Sequence, residues 1–249
     1  MAAFTTEGIV LRSHLLGEAD KILTIFSPDR GKFRAVAKGS RRPKSRLVGV
    51  SELLTCSTLH GSTGRNLDIV VEAEVRNIFG GIRRDLSRTA WAQYAAELVD
   101  ASVGEGQPMP RYYQAVFEHL VALDSGGHPE VLTRAFELGA LTQLGYAPQL
   151  SRCVLCEGEA EGAVVYFSPR NGGLLCRECE AKESNVAKLS KGALESMRVL
   201  AGGDARMVSM LRLSDSIRSE IEGANLGFLA YHLERIPKSL EFARAVSDM

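Results

Sequence analysis

Two Cys-x-x-Cys pairs constrain the fold of this chain more than any other feature. Cys153 and Cys156 are followed, after nineteen residues, by Cys176 and Cys179. This spacing is typical of a tetrahedral zinc site, because two residues between thiolates allow a tight turn to direct both sulfur atoms at one ion. Four sulfur ligands leave no open coordination position, so the sequence predicts one structural Zn²⁺ per chain. A redox dithiol and a pair of disulfides remain as alternatives.

The residues between the pairs read as a β-hairpin. Residues 163–167 are mostly apolar, residues 169–173 contain Pro and two Gly, and Leu174 and Leu175 supply the returning strand. Turn residues between two apolar runs predict a hairpin. Two cysteine turns joined by a hairpin supply the four ligands of one ion, in a zinc finger spanning residues 151–182.

The first 80 residues predict a small β-barrel. Short runs rich in Val, Ile, Leu, Thr and Phe are separated by turn signals such as Gly17 and Gly31. The predicted strands cover residues 8–14, 21–27, 32–38, 54–60 and 67–74. Five short strands suit a closed barrel, and the oligonucleotide-binding (OB) fold is the commonest of these. An SH3-like barrel fits nearly as well.

From residue 82 onward the apolar spacing becomes helical. Helices are predicted over residues 82–103, after Pro110, from Pro129 to Gly145, over 189–200 with Ser190 as the cap, and over 217–233. The sequence therefore predicts an α+β multidomain protein. Its parts are an OB-fold domain (1–80), a helical domain in two parts (81–150 and 183–249), and the zinc finger inserted between them (151–182).

A basic stretch lies in and after the third predicted strand. Lys32 and Arg34 alternate with Phe33, so that the cations fall on the solvent side of the strand and Phe33 on the core side. Gly39 and Pro43 then predict a loop that carries no acidic residue. Such a concentration of positive charge suits a row of phosphates. The candidate nucleic-acid-binding residues are Lys32, Arg34, Lys38, Arg41, Arg42, Lys44 and Arg46; a merely solvated loop is the alternative.

Composition limits the possible partners. The net charge is zero, which excludes a globally basic nucleic-acid binder. Residues 1–80 nevertheless hold twelve Lys and Arg against eight Asp and Glu, so any nucleic acid is expected to meet this part. No apolar run approaches the roughly 18 residues of a membrane span, and the N-terminus lacks a signal-peptide pattern. A cytoplasmic protein is expected, with reduced cysteines unless a metal binds them.

Motifs that carry catalysis are absent from the sequence. There is no Walker motif, dinucleotide fingerprint or zinc-protease helix, and residues 49–53 lack the closing glycine of a nucleophile elbow. We therefore expect a protein that is not an enzyme.

The chain resembles the RecO family of bacterial recombinational repair proteins over its whole length. The segments that carry the resemblance are Gly8-Ile-Val-Leu11, Glu18-Ala-Asp20, Gly31-Lys32, Ala37-Lys38-Gly39-Ser40-Arg41-Arg42, Ser45-Arg46 and the ending from His232 to Phe242. The four cysteines are similar to those of the family's zinc-binding branch.

The resemblance implies an OB-fold barrel, a helical domain and an inserted zinc finger. It implies binding of single- and double-stranded DNA and annealing of complementary strands, in the cytoplasm and at the nucleoid. It further implies work with RecR to load RecA onto strands coated by single-strand-binding protein, whose acidic C-terminal tail the helical domain contacts. Two rival functions remain: a zinc-ribbon protein–protein adaptor and an RNA-binding OB-fold protein.

Overall fold

The computed structural model describes residues 2–160, 162–203, 205–233 and 236–247. The chain forms two compact units: residues up to 124 together with those from 241 onward, and residues 125–240. The first unit begins with a closed five-stranded barrel, and the second contains helices and a three-stranded sheet. Each unit is described by itself.

The barrel is built from the five strands that the sequence predicts. They are β1 (Ala3–Leu16), β2 (Asp20–Ser27), β3 (Gly31–Ala37), β4 (Cys56–Ser62) and β5 (Asp68–Asn77). The strand order is β1-β2-β3-β5-β4, with β3 and β5 parallel and the other pairs antiparallel. The prediction of a five-stranded barrel is confirmed.

The barrel closes because β1 pairs with two partners. Its first half pairs with β4 and its second half with β2, and the register shifts between Val10 and Arg12. Gly8 lies where these halves meet, and a Cβ there would come within 2.5 Å of Ile25 Cγ2. Glycine is therefore required for the strand to pass this close to β2.

The barrel interior is filled by the alternate residues of its strands. Val10, Leu23, Ile25, Phe33 and Leu59 belong to this buried cluster. Phe33 is 8% exposed, which confirms that it belongs to the core. A 3₁₀ turn at Gly49–Ser51 adds Val50 to the same cluster.

Helices α1 (Gly80–Arg83), α2 (Leu86–Ser102) and α3 (Pro110–Ser125) follow the barrel. The sequence predicts one helix over residues 82–103, but Asp85 divides it: the Asp85 carboxylate accepts a hydrogen bond from Arg88 N and caps α2. Trp91 and Tyr94 are buried, and Tyr112 and Tyr113 pack edge-on against Phe26. These aromatic residues belong to the core, as their helical spacing predicts.

The second unit combines helices with a small sheet. Its elements are α4 (Pro129–Gln143), β6 (Val164–Ser168), β7 (Gly173–Leu175), α5 (Arg177–Glu180), β8 (Ala187–Ser190), α6 (Lys191–Ala201), α7 (Ala205–Met210) and α8 (Asp215–Leu233). A last helix, α9 (Ser239–Ser247), follows. The sheet order is β7-β6-β8, and the β6–β7 hairpin is confirmed.

Ser190 joins the sheet to the helices. It is the last residue of β8, and its hydroxyl oxygen accepts a hydrogen bond from Ala193 N as the N-cap of α6. Its own backbone N–H donates to Glu220 Oε2 of α8 at 2.6 Å. The prediction of Ser190 as a cap is confirmed. Among the described residues, no helix combines the length and apolar character needed to cross a membrane.

A buried polar network holds α4 to α8. Arg134 and Glu137 are at most 1% exposed and pair at 2.9 Å, one turn apart on α4. From α8, Asn225 Nδ2 donates to Glu137 Oε2 at 2.9 Å, and Glu222 pairs with Arg134 at 3.2 Å. Charges so far from water are tolerated because each has partners of opposite charge or a hydrogen bond.

Glu137→Ala should lower the free energy of unfolding by about 3–5 kcal/mol, because it leaves the Arg134 guanidinium buried with one carboxylate partner fewer. Urea denaturation of the purified protein measures this loss.

The matched control is Glu195→Ala. Glu195 also pairs with an arginine three residues away, Arg198, but this carboxylate is 55% exposed. The control should cost less than about 1 kcal/mol. Equal losses in the two variants would contradict the role of the buried network.

Candidate nucleic-acid interface and metal centre

The side chains of strand β3 alternate between the barrel interior and the outer surface. Phe33, Ala35 and Ala37 are buried in the barrel, whereas Arg34 is exposed on the outer side. The alternation follows from the two-residue period of a strand. The alternation is the one that the sequence predicts, but of the two β3 cations only Arg34 is presented to solvent.

The loop after β3 is anchored at both ends. Gly39, at φ +66°, donates its N–H to Asp20 Oδ1 at 2.7 Å, and Arg41 N donates to the Ala19 carbonyl at 2.9 Å. At the other end Leu47 is buried in the barrel core. Between these anchors Arg42, Lys44 and Arg46 are exposed.

Six of the seven predicted cations are exposed, one on β3 and five after it. Among the described residues, none of them has a carboxylate within 4.0 Å; the Arg41 guanidinium donates to the Gly17 carbonyl, at 3.1 Å. We call this set the basic surface: Arg34, Lys38, Arg41, Arg42, Lys44 and Arg46. Its positive charge is not neutralised locally, so it is available to an anionic partner.

Lys32 differs from these six residues. Its Nζ lies 3.3 Å from Asp100 Oδ1 and also donates to the Asp100 carbonyl, while Arg12 Nε pairs with the same carboxylate at 2.7 Å. The Lys32 side chain is 14% exposed. Lys32 therefore ties the barrel to α2, and its charge is held beside a carboxylate that it shares with Arg12. The sequence gives no signal for this pair, because Asp100 is 68 residues away.

The four predicted zinc ligands converge. Sulfur atoms of Cys153, Cys156, Cys176 and Cys179 all lie within 4.8 Å of one another. Cys156 and Cys176 sulfurs are 3.8 Å apart. The edge of a tetrahedron with metal–sulfur bonds of about 2.3 Å is about 3.8 Å. All four thiols are free, so the disulfide alternative does not apply to this structure.

Two tight turns place these sulfur atoms. In the first, Glu157 N donates to the Cys153 carbonyl at 2.9 Å, and Cys153 N donates to the Gly158 carbonyl at 3.0 Å. In the second, Cys176 precedes α5, and Glu180 N donates to its carbonyl at 2.9 Å. The β6–β7 hairpin lies between the two turns in the sequence and brings them together.

The electrostatics of the thiols suit a cation. A hydrogen bond with Cys176 and burial raise the pKa of Cys179 to about 12. For Cys153, burial raises the pKa, but backbone N–H groups of Cys176, Cys156 and Leu155 overcome this and lower it to about 6. Without a cation the four sulfurs cannot all be ionised, because neighbouring thiolates repel. A divalent ion removes that cost, so these residues fit a metal.

Comparison with known proteins now decides the family. The family model described as Recombination protein O N terminal matches residues 1–79, and that described as Recombination protein O C terminal matches residues 83–241. The chain belongs to the RecO family. The barrel that the sequence predicts is therefore the RecO OB domain, and the cysteine cluster lies in the helical part, as expected.

Curated RecO proteins align with nearly the whole chain. DNA repair protein RecO of Symbiobacterium thermophilum is 39% identical over 248 residues, covering 97% of each chain. DNA repair protein RecO of Roseiflexus sp. is 38% identical over 246 residues, covering 99% of this chain and 87% of the relative. That of Pelotomaculum thermopropionicum is 37% identical over 242 residues, with 97% and 94% covered.

The double variant Cys153→Ala/Cys176→Ala should reduce bound metal from one ion per chain to none, because it removes one ligand from each pair. Elemental analysis of the purified proteins measures the content.

Cys56→Ala is the matched control. Cys56 is fully buried on β4, its thiol donates to Glu7 Oε1 at 3.4 Å, and burial raises its pKa to about 12, so it is a protonated thiol and not a ligand. Its metal content should equal that of the unmodified protein. Full metal content in the double variant would contradict the assignment of these ligands.

Proposed function

We propose that this RecO protein binds single- and double-stranded DNA through the basic surface and anneals complementary strands. The observation that carries this proposal is a set of six exposed cations on one strand and loop of the OB barrel, without carboxylate partners among the described residues. OB folds commonly contact nucleic acid through strands and loops, which supports this location.

Annealing on this surface requires no covalent chemistry. Two DNA strands repel through their phosphates, and cations that replace condensed counterions lower that repulsion while releasing the counterions. Contacts to phosphates carry no sequence information, so binding should be independent of base sequence. We therefore propose a mediator that is not an enzyme.

Membership of the RecO family supports a wider role in recombinational repair. We propose that the protein acts with RecR to load RecA onto strands coated by single-strand-binding protein, and that it contacts that protein's acidic C-terminal tail. It would do so in the cytoplasm, at the nucleoid. The basic surface would bring the protein to the DNA on which these partners assemble.

For the metal we propose Zn²⁺ in a structural role. Four thiolates form the donor set that selects zinc over harder ions such as Mg²⁺, and they leave no coordination position for a substrate. The ion would hold the two cysteine turns and the β6–β7 hairpin together.

The first test is a salt titration of single-strand binding by fluorescence anisotropy. If about four of the six cations contact phosphates, log affinity should fall with log salt with a slope of about −3, at about 0.7 per contact. Arg41→Glu/Arg42→Glu should make the slope shallower by at least about 1.4, and should weaken binding to all sequences alike. Wild-type annealing by this variant would contradict the location.

Two matched substitutions on β3 compare the contribution to DNA binding of an exposed cation, Arg34, with that of a paired one, Lys32. Arg34→Met should reduce the magnitude of the salt slope by about 0.7, because it removes an unpaired charge. Lys32→Met should leave the slope unchanged, because Lys32 is paired with Asp100. Matched RNA strands serve as a further control: tighter binding of RNA would favour the RNA-binding alternative.

A further inference from the structure

A cluster of aromatic rings lies at the end of α8 in the second unit. The rings of Tyr146 and His232 are stacked, with centroids 3.9 Å apart and planes at 23°. Phe228, one turn earlier on α8, packs edge-on against His232 at 4.8 Å. Phe228 in turn packs against Phe167 of β6 at 5.4 Å. Tyr231 also packs edge-on against His232, at 5.1 Å. The stack of Tyr146 on His232 is therefore supported from the core by Phe228 and Phe167.

Backbone hydrogen bonds fix Tyr146 in place. Gly145, at φ +91°, ends α4, and its N–H donates to the Thr142 carbonyl at 3.1 Å. Tyr146 N donates to the Leu141 carbonyl at 2.8 Å, which completes a Schellman motif. The residue at this position of the motif often makes an apolar contact with its own helix. Here it is Tyr146, whose ring stacks instead on His232 of α8.

Tyr146 remains exposed although its ring is held rigidly. It is 42% exposed, whereas Tyr94, Tyr112 and Tyr113 are at most 5% exposed. His232 stacks on the ring, and the two rings line the same cavity. Burial lowers the pKa of His232, so the supporting ring is a neutral aromatic surface at neutral pH.

A cavity of about 280 Å³ adjoins this stack. Besides the aromatic rings, it is lined by Gln149 and by Arg170 and Asn171 of the turn between β6 and β7. The Asn171 amide is held by Ser168 Oγ at 2.9 Å, and Gln149 N donates to the Gly172 carbonyl at 2.9 Å. The polar wall of the cavity is thus ordered by its own hydrogen bonds.

Arg170 adds a positive charge at the cavity. It is exposed, and within the part of the chain that the structure describes no carboxylate pairs with it. A partly exposed aromatic ring, two amides and the Arg170 guanidinium together match the flat face, the polar edge and the phosphate of a nucleotide.

We propose that Tyr146, stacked on His232, is a platform for one unpaired base of single-stranded DNA, with Arg170 on an adjoining phosphate. This inference rests on the proposed DNA-binding function. A base inside a duplex has both faces covered by its neighbours, so the platform favours single strands. The basic surface, which contacts phosphates, makes no such distinction. A single strand would thus be recognised by two sites of different chemistry.

The test uses the full-length, metal-loaded protein and an oligonucleotide that contains 2-aminopurine, whose fluorescence falls on stacking. Tyr146→Ala should abolish the quenching and weaken single-strand binding by about 5- to 150-fold, while duplex affinity stays the same. Tyr146→Phe, which keeps the ring, should restore most of the affinity and quenching. Quenching and single-strand affinity that survive in Tyr146→Ala would overturn the proposal, as would equal losses for single strands and duplex.

Arg170→Ala tests the same site without altering the ring. It should reduce the magnitude of the salt slope for single strands by about 0.7 and leave the slope for duplex unchanged. An unchanged single-strand slope would overturn the phosphate contact.

Two further arms separate this proposal from its alternatives. Arg41→Glu/Arg42→Glu should weaken the binding of single strands and of duplex alike. If it does so while Tyr146→Ala binds single strands normally, the platform proposal fails and the proposed function stands. If no variant affects binding, or the protein binds no DNA, the proposed function fails as well. Binding of a labelled acidic peptide that is lost in Tyr146→Ala and is not displaced by unlabelled single strands would overturn the proposal and assign the cavity to a peptide.

Discussion

Closure of the barrel is the constraint on which the candidate DNA interface depends. Because β3 pairs with β2 on one side and with β5 on the other, its side chains have fixed inward and outward directions. A shift of one residue would bury Arg34 and expose Phe33. The apolar residues of β3 thus determine that Arg34 faces outward. The loop that follows is fixed to the barrel at its two ends by Gly39 and Leu47.

Local patterns in the sequence predict much of this structure. The two-residue alternation of β3, the Cys-x-x-Cys spacing and the cap at Ser190 each depend on residues close in the chain, and each is found as expected. Boundaries are harder to predict: Asp85 caps a helix within a continuous apolar pattern, and β8 has only four residues, too few for a periodic signal.

Long-range pairing is what the sequence does not reveal. Lys32 lies in the same basic stretch as Arg34, yet only Lys32 meets a carboxylate, which α2 supplies. Likewise, nothing in the sequence distinguishes the exposed Tyr146 from the buried tyrosines of the first unit. Both distinctions arise from where separate elements pack, and so the composition of a segment cannot predict them.

Ser190 couples the sheet of the cysteine cluster directly to the helices. One residue ends the strand beside the cysteine hairpin, begins α6 and is bonded to α8, so there is no spacer in which a disturbance of the sheet can be absorbed. If the cysteine turns loosened, α6 and α8 would therefore tilt together with the sheet. A metal ion bound by the four cysteines would then affect the stiffness of the second unit beyond its own ligands.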